Sequence, residues 1–117
     1  MKRFVTPLMR GNFLENYRIE EIRVMVKHVV CQKFADKKDA ETAAQMLRDL
    51  VGVVPSLRNM EVGIDFMESE RSFDLVLIAT FDDEQGLHEY DEHPAHGEVR
   101  KFIRPRRTGT VSVDFRC

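Results

Sequence analysis

Three of the chain's four histidines, His88, His93 and His96, fall within nine residues, and the fourth, His28, lies far upstream. The dense stretch reads Tyr90-Asp91-Glu92-His93-Pro94-Ala95-His96-Gly97. Histidine titrates near neutrality, and a tyrosine hydroxyl can donate a hydrogen bond to a developing oxyanion. A histidine–tyrosine group on the helix face of a sheet is therefore equipped for acid–base chemistry. The same residues have a plainer use. His93 can cap the helix that Pro94 opens, and Tyr90 can be a core aromatic whose hydroxyl is satisfied at the edge. Spacing alone leaves both readings open.

Other chemistries find less support. His93 and His96 are three apart, with Asp91 and Glu92 beside them. No third ligand follows at a recognised spacing, and Pro94 disturbs the intervening turn, so no metal site is assigned. The chain has no Gly-rich phosphate loop, no Walker-type lysine motif, no CxxC and no G-x-S-x-G, and no cofactor is assigned. Arg100, Lys101, Arg104, Arg106 and Arg107 form a basic cluster. It reads as a solvated or dimer-facing surface, with an anionic ligand as the alternative. The formal net charge of -2 gives no electrostatic reason to expect nucleic acid or an anionic membrane as partner. No run approaches the roughly 20 apolar residues of a membrane helix. Cys31 and Cys117 are too few and too distant for a disulfide framework, which favours a reducing, cytoplasmic setting. Cys31, in an apolar run, reads as a small buried hydrophobe.

The elements that must position these residues follow from periodicity. A chain of 117 residues suits one domain. Val26 to Phe34 is rich in β-branched residues and reads as a strand, with His28 on the same face as Val30, Gln32 and Phe34. Asp36 can cap a helix whose apolar stripe runs Ala40, Ala43, Ala44, Leu47, Leu50 and Val51, ending near Gly52 and Pro55. Met60, Val62, Ile64 and Phe66 alternate with polar residues as a strand with one wet face. Phe73 to Phe81 is apolar on both faces and reads as a central strand paired with it in a hairpin. Asp82 and Asp83 can cap a second helix through Tyr90, and Pro94 starts a third that runs to about Ile103. Val111, Val113 and Phe115 alternate with Ser112 and Asp114 as a last strand. The order is β-α-β-β-α-β with the second helix split in two: an α+β, ferredoxin-like protomer whose antiparallel sheet carries its helices on one face. The other face needs a cover. A second copy, packed sheet to sheet, is the expected one, which makes the protein a homodimer.

The first 24 residues are read separately. They lack the apolar core of a secretory signal, and Glu15, Glu20 and Glu21 argue against a mitochondrial presequence. Asn12 and Glu15 resemble a capping box, and Phe13, Leu14, Tyr17 and Ile22 can line one face of a short helix. Residues 1–24 are expected to be an N-terminal extension or an over-long start, and residues 25–117 the domain.

Several of these segments together resemble the stress-responsive A/B barrel family, the dimeric α+β barrel proteins. They are Val26-Lys27-His28-Val29-Val30, Val54-Pro55-Ser56-Leu57, Asp74-Leu75-Val76-Leu77, Phe81, Tyr90-x-x-His93-Pro94-x-His96 and Val113-Asp114-Phe115. The resemblance covers Met25 to Phe115. It implies a homodimer whose two sheets form a barrel, no organic cofactor, and a small-molecule pocket. One plant member is a polyketide cyclase that works by aldol condensation, and its catalytic tyrosine and histidine match Tyr90 and His96. By that resemblance His96 would be the base, Tyr90 would support the oxyanion, and His28 would orient the substrate; His93, in the same motif, is expected as a further substrate contact. Three functions follow in order: a dimeric barrel protein with a small pocket, a cofactor-independent lyase or cyclase, and a cofactor-free monooxygenase.

Overall fold

The computed structural model describes residues 2–4 and 21–117. Its elements are β1 (Lys2–Phe4), β2 (Glu21–Arg23), β3 (Val26–Phe34), α1 (Lys37–Arg48), β4 (Asn59–Ile64), β5 (Leu75–Phe81), α2 (Glu84–Glu92), α3 (Pro94–Ile103) and β6 (Arg107–Arg116). Strands β1 and β2 pair antiparallel, with Arg3 opposite Ile22. Ile22 thus lies in a strand and not on the expected helix. The rest of that helix falls outside the described residues.

The main sheet has the order β4-β5-β3-β6, every pair antiparallel, which is the ferredoxin-like arrangement the periodicity predicts. Alternation along the strands separates its two faces. Val26, Val30 and Phe34 of β3 and Leu75, Leu77, Ala79 and Phe81 of β5 are buried on the helix side. Helix α1 starts at Asp36, whose carboxylate accepts from the Lys38 backbone N–H at 2.9 Å. It buries Ala40, Ala43, Ala44 and Leu47, and the three small alanines let its backbone approach the sheet closely. Burying a side chain such as Leu47 contributes about 1.5–3 kcal/mol.

Four boundaries differ from the sequence reading, each for a local reason. Helix α1 stops at Arg48, because Leu50, Val53 and Val54 turn their N–H groups onto nearby carbonyls in tight turns and Gly52 takes φ +88°. Val51 is left 47% exposed. Strand β4 stops at Ile64, because the Asp65 carboxylate accepts from the Glu68 N–H and starts a turn. Phe66, expected on the strand's apolar face, is 87% exposed there. Strand β5 starts at Leu75 rather than Phe73, because Asp74 directs its N–H to the Gln32 carbonyl and its carboxylate to the Phe34 N–H. Strand β6 starts early, at Arg107, by absorbing one extra residue where the register shifts between Lys33 and Phe34, with Gly109 beside the bulge.

No helix among the described residues covers the far face of the sheet. Across it, Ile78, Val29 and Val113 form one row, and Val76, Cys31 and Val111 another. Val111, Val113 and Phe115 are 53%, 62% and 43% exposed. Cys31, read as a buried hydrophobe, is only half-buried because it points to this open side, and both cysteines are free. Strand β6 therefore has its apolar residues on the open face and Thr110, Ser112 and Asp114 on the helix side.

Candidate active site

The break between α2 and α3 brings the site together. Pro94 lacks an N–H and holds the preceding residue extended, and His93 accordingly sits at ψ 135°. The His93 Nδ1 accepts from the Ala95 N–H at 3.0 Å, so His93 caps α3. It is not among the residues lining the cavity described below. Across this joint, Tyr90 in the last turn of α2 meets His96 in the first turn of α3. Their ring centroids are 4.2 Å apart. Phe81, fully buried on β5, supports Tyr90 from the sheet with centroids 5.2 Å apart. The His28 ring stands edge-on to Tyr90 at 6.5 Å. The structure thus brings His28, Tyr90 and His96 together and gives His93 a capping role. His88 lies elsewhere, in a shallow cleft beside Glu84 and Arg116.

Each ring is oriented by a partner. His28 and Asp114 are directly opposite in the β3–β6 register, and the His28 Nδ1 bonds the Asp114 carboxylate. The His96 Nδ1 lies 3.2 Å from the Asp91 carbonyl oxygen. A carbonyl can only accept, so this nitrogen carries the proton and Nε2 is left with its lone pair. Burial pushes the His96 pKa below the ordinary histidine value, against the pull of the Asp91 carbonyl, so the ring is neutral at pH 7. Burial also pushes the Tyr90 hydroxyl well above its ordinary range, with Asp91 adding to the effect and Arg100 opposing it. Tyr90, 1% exposed, is therefore a fixed proton donor, and its hydroxyl makes no hydrogen bond with any described residue. A neutral imidazole beside a protonated phenol can accept a proton from one atom while the phenol stabilises charge on another.

These three residues line a cavity of about 260 Å³ between the sheet and α3. Ligand pockets usually measure roughly 300–1,000 Å³, so this one suits a small molecule. Its floor is Val30, Gln32 and Leu77. Arg100 lines it beside Asp91, near Tyr90 and His96, and Arg104 and Arg107 line it further along, with Thr110 and Ser112 on β6. Sequence reasoning has Ser112 and Asp114 only as the residues that alternate with the apolar ones of a last strand. Their place in the site is set by register: the residue opposite His28 on a neighbouring strand is the one able to orient it. Gln32 is buried, and its Oε1 has no hydrogen-bond partner among the described residues. No group of three or more His, Cys, Asp or Glu among the described residues is arranged to hold a metal ion. No helix among them is long and apolar enough to cross a membrane.

Known structures share this architecture. A dimeric ferredoxin-like protein of unknown function from Thermobifida fusca matches with a TM-score of 0.71 and 25% identity, over 80% of this chain and 92% of its own. A dimeric protein of unknown function and ferredoxin-like fold from Bacteroides fragilis matches with a TM-score of 0.68 and 23% identity, over 80% and 96%. The hydroxynitrile lyase of Passiflora edulis shares the fold, with a TM-score of 0.71 and 16% identity over 82% and 95%. No functionally curated protein matches the chain. Residues 26–117 match the model of the stress responsive A/B barrel domain, and the chain belongs to that family.

Proposed function

We propose that this chain is a homodimeric barrel protein that binds a small molecule between α3 and the sheet. The observation that carries the reading is the cavity where His28, Tyr90 and His96 meet the polar side of β6. Dimerisation supports it. The open sheet face carries two apolar rows, and pairing it with a second copy, sheet to sheet, leaves the cavity on the opposite face accessible. The dimeric relatives of the same fold point the same way.

A second reading, a cofactor-independent lyase or cyclase, is favoured by one feature. His96 is neutral with a free Nε2, and its ring lies 4.2 Å from that of a permanently protonated Tyr90. In a cyclisation, His96 would take the proton from an acidic C–H, the carbanion would attack a carbonyl carbon, and Tyr90 would hydrogen-bond to the resulting alkoxide. His28, held by Asp114, would orient the substrate. That a hydroxynitrile lyase is built on the same fold adds weight to this reading.

A ligand-observed NMR screen of a fragment library tests the binding function. Val30→Phe serves as the blocking control, since Val30 lies in the cavity floor. The expected result is a set of binders that Val30→Phe abolishes without changing the fold by circular dichroism. Binders indifferent to Val30→Phe, or no binders at all, would overturn the reading.

A further inference from the structure

The end of the cavity that Arg104 and Arg107 line has a positive charge that no described residue balances. Three guanidinium groups, Arg100, Arg104 and Arg107, face one carboxylate, Asp91, in the lining. Asp91 is committed to Arg100 at 3.1 Å. Arg104 and Arg107 form no ion pair or side-chain hydrogen bond with any described residue. The other two members of the basic cluster are occupied outside the cavity. Lys101 pairs with Glu98 at 2.9 Å, and Arg106 stacks on the Phe102 ring at 4.1 Å and donates to the Phe102 carbonyl. Arg100 and Arg104 also complement the C-terminal carbonyls of α3. Arg107 comes from β6 and has no such duty. In a chain of net charge -2, a local cationic surplus turned into a cavity calls for an anion.

Gln32 is an independent sign of a ligand at the same end. It lines the cavity and is 5% exposed, yet its Oε1 lacks any partner among the described residues. A buried amide oxygen is costly to leave unpaired, and it can be satisfied only by a donor. Thr110 stands opposite Gln32 in the strand register, and Ser112 opposite Val30, so this side of the floor is polar.

We propose that the cavity takes a small carboxylic acid with an O–H or N–H donor next to its carboxylate. The carboxylate lies between Arg104 and Arg107, where guanidinium forks suit it. The neighbouring donor bonds Gln32 Oε1. The remainder of the molecule runs along β3 toward Tyr90 and His96. Gln32 and His28 are four residues apart on one strand face, which separates the two ends by about 13 Å. This assignment rests on the cavity being the functional pocket and specifies what fills it.

The test is a titration of the ¹⁵N-labelled full chain with four probes, followed at the backbone amides of residues 28–34, 90–100 and 104–114. The probes are 3-phenyllactate, 3-phenylpropionate, 3-phenyllactamide and inorganic phosphate. 3-Phenyllactate should shift these amides. The uncharged amide should bind about tenfold more weakly or worse. 3-Phenylpropionate, which lacks the hydroxyl, should bind several-fold more weakly to the parent, and Gln32→Leu should erase that difference. The Arg104→Gln/Arg107→Gln double variant should lose the preference for acid over amide. If acid and amide bind these amides equally well in the parent, the anionic assignment fails while the pocket stands. If phosphate binds as tightly as 3-phenyllactate, the assignment to a carboxylic acid fails. If no probe shifts these amides, the pocket reading falls with it.

Discussion

His96 and Tyr90 show how burial sets the chemistry of two ordinary side chains. The same desolvation lowers the histidine and raises the phenol, because in both it disfavours the charged form. The result is a base that stays neutral and an acid that stays protonated, 4.2 Å apart between ring centroids. Under the lyase reading, His96→Ala should abolish turnover of a polyketide-like substrate while leaving the oligomer intact. The pH dependence has a definite sign. The base must be unprotonated, and its pKa lies below the ordinary value of 6.5. The acid limb of the parent's kcat/KM should therefore be centred below pH 6.5. Turnover that survives His96→Ala, or an acid limb centred above 6.5, would remove His96 from the chemistry.

At the scale of elements, the joint between α2 and α3 is the feature that builds the site. Pro94 breaks the helix, His93 caps the new one, and Tyr90 and His96 meet across the break. If His93 acts as a cap, His93→Ala should cost about 0.5–2 kcal/mol in urea unfolding and leave ligand affinity within twofold. Loss of binding at unchanged stability would instead make His93 a ligand contact. This joint was legible in the sequence, since Pro fixes its own backbone wherever it stands and His-Pro is a cap-and-start signal. So was the side on which His28 lies, because alternation along Val26–Phe34 leaves no choice of face. The partners of these residues were not legible. Asp114 meets His28 through the β3–β6 register, a long-range pairing that local pattern does not encode. The basic cluster is continuous in sequence, yet Arg104 and Arg107 line the cavity while Arg106 stacks on Phe102, a division that only the three-dimensional structure shows. Gln32 looked like one polar residue on an apolar face until its burial and unpaired oxygen appeared together.

At the scale of the whole molecule, the sheet is divided between two tasks. Its helix side holds the core and, toward β6, the cavity. Its open side holds the rows Ile78–Val29–Val113 and Val76–Cys31–Val111, with Val113 62% exposed. Strand β6 joins the two tasks, because its apolar residues face the open side while Thr110, Ser112 and Asp114 face the cavity side. That division makes sense only if the open side is covered, since a water-facing strand would place its polar residues outward. The Val113 face is therefore the surface on which a second copy should close, and the site depends on the strand that this contact would hold in place. The most direct test is the mass of the full chain in solution, measured by multi-angle light scattering over a concentration series. A mass twice that of the 13.7 kDa chain, held down to micromolar concentration, is the predicted result; a clean monomer at micromolar concentration would contradict it.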